Sequence, residues 1–317
     1  MLLTLSLSTS SSLAWPSDSP FMMQQVLSDL TDSLIGQPIR PVRALITQAW
    51  ERAGAHPTAA AALECALLDA AARTEGISLW RWCGGNRRFV TTSLTLSAWT
   101  PTQMGRAALK AAAGGFRRLK IKVIGHDLDE DLRRVAAVHR AAPRAALWLD
   151  GNQGFSTEAA VRFAQQLRRR RFPVRLFEQP VSREDREGLG QVNREGKIPV
   201  AADESARSIE ETLALIRRKT VPVINVKMAK AGFLGALRIV RQARSAGIRL
   251  MIGCMAESAP GLSASVHLAC GTGAFDYVDL DSHLLVESPP GIPGFRTDGA
   301  RLTVNRSGVG NGVLLSP

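Results

Sequence analysis

The sequence has little cysteine, and its four cysteines lie far apart. Zinc sites and thiol redox sites usually place two cysteines in a CxxC pair. No such pair is present, and no spacing suggests a disulfide framework. Free thiols are typical of a reducing compartment, so we expect a cytoplasmic protein without a zinc site. The four residues are Cys65, Cys83, Cys254 and Cys270.

Long apolar runs are also missing. No window holds 18 consecutive apolar residues, which argues against a membrane-spanning helix and against a membrane partner. Residues 1–20 are rich in Leu and Ser but lack the basic start of a signal peptide. We therefore expect residues 3–14 to form a strand of a first lobe rather than a leader.

Acidic residues are outnumbered, with 28 Asp and Glu against 40 Lys and Arg and a net charge of +12. The densest basic run covers residues 168–171, all arginine. Such a run can belong to a nucleic-acid patch, or it can be the solvated end of a helix, where cations complement the helix dipole. The run lacks interleaved aromatic residues and any known nucleic-acid motif, which favours the helix end. We expect no nucleic-acid partner.

What the sequence does contain is a charged residue at the end of each of several short apolar runs. These residues recur at intervals of 28, 28, 25 and 24. Each interval has room for one strand and one amphipathic helix, which is the content of a βα unit in a parallel sheet. Charges at the carboxyl ends of successive strands are found on the active-site face of a β/α barrel. The five residues are Lys122, Asp150, Glu178, Asp203 and Lys227.

The 317 residues are enough for a barrel of about 200 to 250 residues and a smaller lobe. Residues 1–90 are predicted to form an N-terminal α+β capping domain, with helical spacing before a break at Gly84-Gly85. Residues 91–285 are predicted to form the catalytic barrel, and residues 286–317 to pack back on the cap. The predicted helices of the cap lie at 21–35, 42–53 and 57–73.

Strands and helices alternate without interruption through the predicted barrel. The pattern predicts an α/β fold, a (β/α)8-type barrel in its (β/α)7β form. The first strand is predicted at 91–97. The others are predicted near residues 119, 147, 176, 200, 223, 250 and 277.

Asp150, Glu178 and Asp203 fall at the ends of three consecutive predicted strands. Their carboxylates would converge, and three converging anions repel unless a cation lies among them. Mg²⁺, a hard ion that prefers oxygen ligands, is the expected occupant. Each carboxylate could instead cap the helix that follows it. Three in register on neighbouring strands favour the metal site.

Lys120 and Lys122 are two apart on one predicted strand and therefore point to the same face. Lys227 ends another strand, on the far side of the carboxylates. A lysine beside other cations has its pKa lowered and becomes a usable base. When such a base removes the α-proton next to a carboxylate held on Mg²⁺, the metal would stabilise the enolate that forms. The alternative for Lys227 is a salt-bridged structural lysine. We expect Lys230 to be structural.

Taken together, these motifs resemble the muconate-lactonising branch of the enolase superfamily. The resemblance implies Mg²⁺ on Asp150, Glu178 and Asp203, with Lys122 and Lys227 as the two acid/base lysines. It also implies that Lys120 assists the substrate carboxylate and that Glu204 orients a neighbouring group. The motifs are Lys120-x-Lys122, Asp150-Gly-Asn, Glu178-Gln-Pro, Asp203-Glu-Ser and Asn225-x-Lys227.

The last predicted strand narrows the resemblance. Asp279 and Asp281 place two carboxylates on one inward face, which is unusual without a cationic partner. The pair resembles the Asp-x-Asp signature of dipeptide epimerases of the L-Ala-D/L-Glu type, in which it holds the substrate's α-ammonium. Ser258 resembles a substrate-backbone contact. His267 and His283 have no second His at metal spacing and are not expected to be ligands.

The sequence departs from these relatives in the first lobe. The chain begins about where the second strand of the cap is expected, so the resemblance predicts a truncated cap without a lid loop. Ala231-Gly232-Phe233 also replaces the usual double glycine. The barrel chemistry is expected to be complete.

The sequence is compatible with three functions. The first is a Mg²⁺-dependent dipeptide epimerase that works through an enolate with two opposed lysines. The second is another enzyme of the same subgroup, an N-acylamino acid racemase, an o-succinylbenzoate synthase or a cycloisomerase. The third is a catalytically impaired metal-binding relative. The paired aspartates favour the first, because substrates of the second group bring no ammonium. Side-chain preference and homo-oligomer formation are left open.

Overall fold

The computed structural model describes residues 19–285, 291–305 and 308–314 of the chain. The strand predicted at 3–14 lies outside the described residues. No helix among the described residues is both long and apolar enough to cross a membrane. All four cysteines are free thiols.

The first lobe is helical over its described part. The sequence explains where its helices begin. Ser19 accepts the Met22 N–H at the first turn of α1, and α2 and α3 begin at or beside a proline. An alanine-rich face of α3 is buried against α1, α2 and the barrel. The helices are α1 (Pro20–Asp32), α2 (Val42–Ala53), α3 (Pro57–Thr74) and α4 (Leu79–Trp82).

An eight-stranded parallel sheet follows, in which every strand lies beside its neighbour in the sequence. The predicted β/α barrel is confirmed, and within residues 94–279, all of which are described, seven α-helices connect the eight strands. The strands are β2 (Leu94–Leu96), β3 (Arg118–Lys122), β4 (Ala146–Asp150), β5 (Val174–Glu178), β6 (Val200–Ala202), β7 (Val223–Lys227), β8 (Arg249–Gly253) and β9 (Tyr277–Asp279).

Most barrel helices begin with a side chain that the sequence could have identified. Ser, Thr or Asp side chains accept a backbone N–H in the first turn of every barrel helix except α10. The helices are α5 (Pro101–Ala113), α6 (Leu128–Ala141), α7 (Thr157–Arg169), α8 (Arg186–Gly196), α9 (Ile209–Arg218), α10 (Met228–Ala246) and α11 (Ala259–Thr272).

Alternation along the strands separates two apolar layers. One side of each strand packs against the outer helices, as Leu147 and Leu149 do, while the other side fills the barrel interior. The interior layer closes the barrel below the charged residues at the strand ends. Its members are Trp148, Leu176, Ala201, Val223, Met251 and Tyr277.

The single strand predicted at 91–97 is wrong, because the chain changes sheets inside it. Residues 89–91 form β1 (Phe89–Thr91), which pairs with a strand near the end of the chain, and the barrel begins only at Leu94. Thr92 donates its backbone N–H to Ala300, whereas Ser93 donates its own to Val278 on β9. The second bond joins the residue just before β2, one edge strand of the barrel sheet, to β9, the other edge strand.

Residues 295–304 and 310–313 contact both lobes. β10 (Phe295–Asp298) and β11 (Arg301–Val304) form an antiparallel sheet with β1. Further on, Asn311 donates its backbone N–H to Asp69 on α3 at 2.7 Å, and Arg73 donates to the Val313 carbonyl at 2.6 Å. These contacts join residues 310–313 to the helical lobe, while the domain boundaries themselves stay a prediction.

Candidate active site

Three buried carboxylates stand at the carboxyl ends of consecutive strands. Asp150 ends β4, Glu178 ends β5 and Asp203 directly follows β6. Asp150 and Glu178 are paired in register, so their side chains leave the sheet at the same level. All three are nearly inaccessible, with relative exposures of 1%, 1% and 4%. The period in the sequence thus places them on one face of the barrel.

Lys120 on β3 lies among these carboxylates. Its Nζ is 3.0 Å from Asp150, 2.8 Å from Glu178 and 2.8 Å from Asp279 on β9. Burial acts to lower the pKa of Lys120, but the three carboxylates outweigh it and raise the pKa well above its usual range. Lys120 is therefore held as an ammonium.

Lys122, also on β3, points to the same side and is more accessible. Its Nζ lies 2.7 Å from Asp150 and donates to the Asn152 side-chain oxygen. Asn152 in turn donates to Glu204 at 3.2 Å. Lys122 is thus the lysine of β3 that an incoming molecule can reach.

Lys227 ends β7 and forms an ion pair of 2.6 Å with Asp203. Burial lowers the pKa of Lys227, but the charges of Asp203 and Glu178 more than offset it and leave the pKa above its usual value. The lowered lysine pKa expected from the sequence depends on a neighbouring cation, and it stays a prediction. Lys230 lies behind it and donates to Asp203 Oδ1 at 2.7 Å and to the Asp203 carbonyl at 2.9 Å.

β3 and β7 lie four strands apart in the eight-stranded sheet, whose two edges meet through the backbone bond from Ser93 to Val278. Lys122 and Lys227 consequently approach the barrel axis from opposite sides, with the carboxylates of β4, β5 and β6 between them. Two amines on opposite sides of one space can address opposite faces of the same carbon atom.

The carboxylate set fits a divalent cation. Burial raises the pKa of Glu178 to about 8, and the negative charges of Asp150 and Asp203 add to the effect. Among the described residues, no three His, Cys, Asp or Glu side chains converge at metal-binding distance, and the Lys120 ammonium lies within 3.0 Å of both Asp150 and Glu178. Asn225 Oδ1 and Glu204 Oε2 are buried there without a partner in the described part of the chain. Such unsatisfied oxygen acceptors suit a hard cation.

Several residues that position the carboxylates were not identified from the sequence. The Gln179 side chain accepts the backbone N–H of Asp203 at 2.9 Å and of Ser205 at 3.0 Å, which links β5 to β6. Asn225 on β7 donates to Glu178 at 2.7 Å. Both residues lie within the recognised motifs, so their position was a signal, but their partners depend on strand pairing.

Asp279 and Asp281 are both buried beside β2, as the sequence predicted for an inward pair. Asp279 accepts from Ser93 at 2.6 Å and pairs with Lys120, so it does have a cationic partner. Asp281 accepts the Thr95 N–H at 2.6 Å. Burial, reinforced by Asp279, raises the pKa of Asp281 to about 6.

The β8–α11 loop borders a cleft between the barrel and the helical lobe. The cleft is mostly apolar, with Ala61, Cys65, Met228 and Ala264 in its wall. Glu257 also lines it, and burial raises the pKa of that carboxyl to about 7.

Ser258 is fully buried next to this cleft. Its hydroxyl accepts the Gly261 N–H at 3.4 Å and so caps α11.

The two histidines considered in the sequence lie away from the carboxylates. His267 on α11 accepts the Trp80 N–H at 3.2 Å through Nδ1, and its Nε2 lies 3.2 Å from the Gly294 carbonyl. His283 contacts the Phe295 ring and lies 3.4 Å from the Thr297 hydroxyl. His267 therefore bonds to backbone groups, and His283 packs against an aromatic ring.

A parallel β/α barrel with buried carboxylates and lysines at its carboxyl face has the architecture of an acid–base enzyme. Residues 103–317 match the family described as enolase C-terminal domain-like. Residues 14–84 match the N-terminal domain of mandelate racemase and muconate lactonizing enzyme. The chain therefore belongs to the enolase superfamily, and the predicted resemblance is confirmed.

Its relatives share most of its length. An aromatic dipeptide epimerase from Herpetosiphon aurantiacus is 38% identical over 287 residues, which are 90% of this chain and 80% of that protein. An L-Ala-D/L-Glu epimerase from Thermotoga maritima is 39% identical over 261 residues, which are 82% and 75% of the two chains. The chain is thus an enzyme of the isomerase class.

A solved structure is similar in fold. A dipeptide epimerase from Enterococcus faecalis, complexed with Mg and the dipeptide L-Leu-L-Tyr, superposes with a TM-score of 0.88 at 31% identity. The match covers 93% of this chain and 84% of that one. The predicted truncation of the cap stays a prediction.

Proposed function

We propose that this enzyme is a Mg²⁺-dependent dipeptide epimerase that inverts the α-carbon of the C-terminal residue. The observation that carries the proposal is the buried pair Asp279 and Asp281 at the end of β9. Lys120 balances Asp279, whereas Asp281 has no ion-pair partner among the described residues. A substrate that brings its own ammonium would supply the missing charge. A free dipeptide does so, and an N-acylated amino acid does not.

Asp150, Glu178 and Asp203 would hold the magnesium ion. When bound, Mg²⁺ would stabilise the negative charge that develops on the substrate carboxylate as the α-proton leaves. Lys120 would contribute a second positive charge to the same carboxylate, since its Nζ already lies within 3.0 Å of Asp150 and Glu178. Ser258 would contact the substrate backbone beside the apolar cleft.

Lys122 and Lys227 would exchange the proton. One lysine, in its neutral form, takes the α-proton from one face, and the other, as an ammonium, returns a proton to the opposite face. The result is an inverted α-carbon with no net gain or loss of protons. Glu204, through Asn152, would orient Lys122. The four free cysteines support a cytoplasmic location.

The runner-up is another reaction of the same subgroup, and a non-catalytic metal-binding relative is the third candidate. The uncompensated charge of Asp281 disfavours the runner-up, because the substrates of that reaction carry no ammonium. The intact lysine pair disfavours the non-catalytic relative.

The test is a proton-exchange screen of L,L- and L,D-dipeptides in D₂O with Mg²⁺, read by mass and by chiral separation. We expect one deuterium at the C-terminal α-carbon and interconversion of the epimers, and no turnover of the N-acetylated dipeptides. Equal turnover of acetylated and free dipeptides would assign the enzyme to the runner-up. Absence of exchange in every dipeptide would favour the non-catalytic relative.

A further inference from the structure

A buried carboxylate of the helical lobe contacts α10, the barrel helix that begins directly after Lys227. Glu64 on α3 is 1% exposed. Its two oxygens accept the Trp50 indole N–H at 2.6 Å and the Leu234 backbone N–H at 2.6 Å. The Phe233 N–H also points at this carboxylate. Glu64 therefore connects the helical lobe to the backbone of α10.

The contacted amides begin the second part of a broken helix. α10 departs from helical geometry at Gly232, where φ is 62° and ψ is −177°. The short turn before the break directly follows Lys227 and carries Lys230. The N–H groups of Phe233 and Leu234 start the next helical segment and have no partner within it. Glu64 supplies that partner from the other lobe.

Gly232 permits this approach. A Cβ at this position would lie 2.1 Å from Glu64 Oε2 and 2.8 Å from the Trp50 ring, and the positive φ also favours glycine. The Ala231-Gly232-Phe233 sequence therefore keeps the one glycine that the carboxylate needs. The break in α10 at Gly232 therefore leaves the space that the Glu64 carboxylate occupies.

We propose that Glu64 is a positioning residue for the lysine on β7. By binding the amides after the break, it holds the turn that joins Lys227 and Lys230 to α10, and so sets where the Lys227 ammonium lies. This inference rests on the proposed function, in which Lys227 moves the α-proton of the substrate. It assigns to the helical lobe a part in placing one of the two bases.

The other lysine has a comparable support that does not come from the helical lobe. Asp131 on α6 accepts the backbone N–H of Ile124 at 3.0 Å and of Gly125 at 2.8 Å. These amides lie just after Lys122. Asp131 also forms a buried ion pair of 2.7 Å with Arg134, which Asp131→Asn would break. Because each carboxylate holds the turn after a different lysine, Asp131→Asn is compared with Glu64→Gln in which epimer it affects and not in the size of the effect.

Two measurements on the full-length chain test the proposal. Glu64→Gln keeps the shape but turns an amide N–H₂ toward donors, so we expect amide deuterium exchange to rise at least about tenfold in peptides covering 228–236. With Mg²⁺ and dipeptide, α-proton exchange should slow about tenfold more for the epimer served by Lys227 than for the other. That epimer is the one whose exchange survives in Lys122→Ala. Asp131→Asn should show the reverse preference.

Trp50→Phe separates positioning from general stability. It removes the indole partner of Glu64 but leaves the amides of α10 bound, so it should lower the melting temperature without preferring one epimer. Glu64→Asp withdraws the carboxylate by one methylene, and it should reproduce the selective effect at a smaller size if Glu64→Gln does not fold.

Equal slowing of both epimers in Glu64→Gln, or unchanged amide exchange at 228–236, would overturn the proposal. If the parent enzyme exchanges no dipeptide proton, the proposed function fails, and the amide exchange alone then decides whether Glu64 holds this turn.

Discussion

Lys120 on β3 and Asp279 on β9 form an ion pair of 2.8 Å across the mouth of the barrel. The same Nζ lies 3.0 Å from Asp150 and 2.8 Å from Glu178. One ammonium therefore links the carboxylates proposed for the metal to the carboxylates proposed for the substrate ammonium. A change of charge at the metal carboxylates should therefore alter the electrostatic environment of Asp279, and the reverse should also hold.

Asp281 should contribute more to ammonium binding than Asp279, because Lys120 already balances Asp279. Replacing Asp281 by Asn should raise KM for free dipeptides by about tenfold to a hundredfold, the range expected for a hydrogen bond to a charged group, with a smaller change in kcat. Steady-state kinetics with free and N-acetylated dipeptides measure this. The exposed Asp298→Asn is the control, and an unchanged KM in Asp281→Asn would contradict the assignment.

Removing one carboxylate should weaken the metal site. Glu178→Gln keeps the side-chain shape but leaves two anions, so we expect Mg²⁺ affinity to fall by more than about tenfold. Titration calorimetry of the variant, compared with the exposed Glu184→Gln, measures the change without relying on turnover. Parent-like Mg²⁺ affinity in Glu178→Gln would show that the carboxylate is not a ligand.

Much of the barrel could be predicted because its signals are local. The period that runs from Lys122 to Lys227 reflects repeated βα units, and helix α2 was predicted with its observed bounds of 42 and 53. The change of sheet at Thr92 could not be predicted. It depends on partners near residues 278 and 300, which no local pattern shows.

The same limit applies to the site. The charged residues were found from their spacing, whereas the pairing of Lys120 with Asp279 joins residues 159 positions apart. Glu64 gave no signal at all, because it lies in an alanine-rich helix and its partner Leu234 is 170 positions away. Such contacts follow from the closure of the barrel and the docking of the lobe.

His267 should make the fold sensitive to acid. Burial lowers the pKa of His267 from 6.5 to about 4, so between these values the unfolded chain binds a proton that the folded chain excludes. Stability is then fully present above pH 6.5 and falls as the pH drops toward 4, by about 3 kcal/mol from this residue. Denaturant unfolding between pH 4 and 7.5 measures the slope.

His267→Gln can keep a donor for Gly294 and an acceptor for Trp80 while it removes the titration. Its stability should therefore depend less on pH than that of the parent in this window. The exposed His126→Gln is the control. A parent-like slope in His267→Gln would assign the acid sensitivity to other groups.

The two-base arrangement makes a stereochemical prediction, because Lys122 and Lys227 approach from opposite sides of the barrel. Lys122→Ala should block epimerisation in both directions, since each direction needs a proton donor on the far face. Lys227 should still exchange the α-proton of one epimer with D₂O, with retention of configuration. Lys227→Ala should show the same behaviour with the other epimer. NMR of each pure epimer in D₂O with Mg²⁺ follows both reactions. Exchange of both epimers by each single variant, or parent-like epimerisation by Lys227→Ala, would reduce Lys227 to the salt-bridged partner of Asp203.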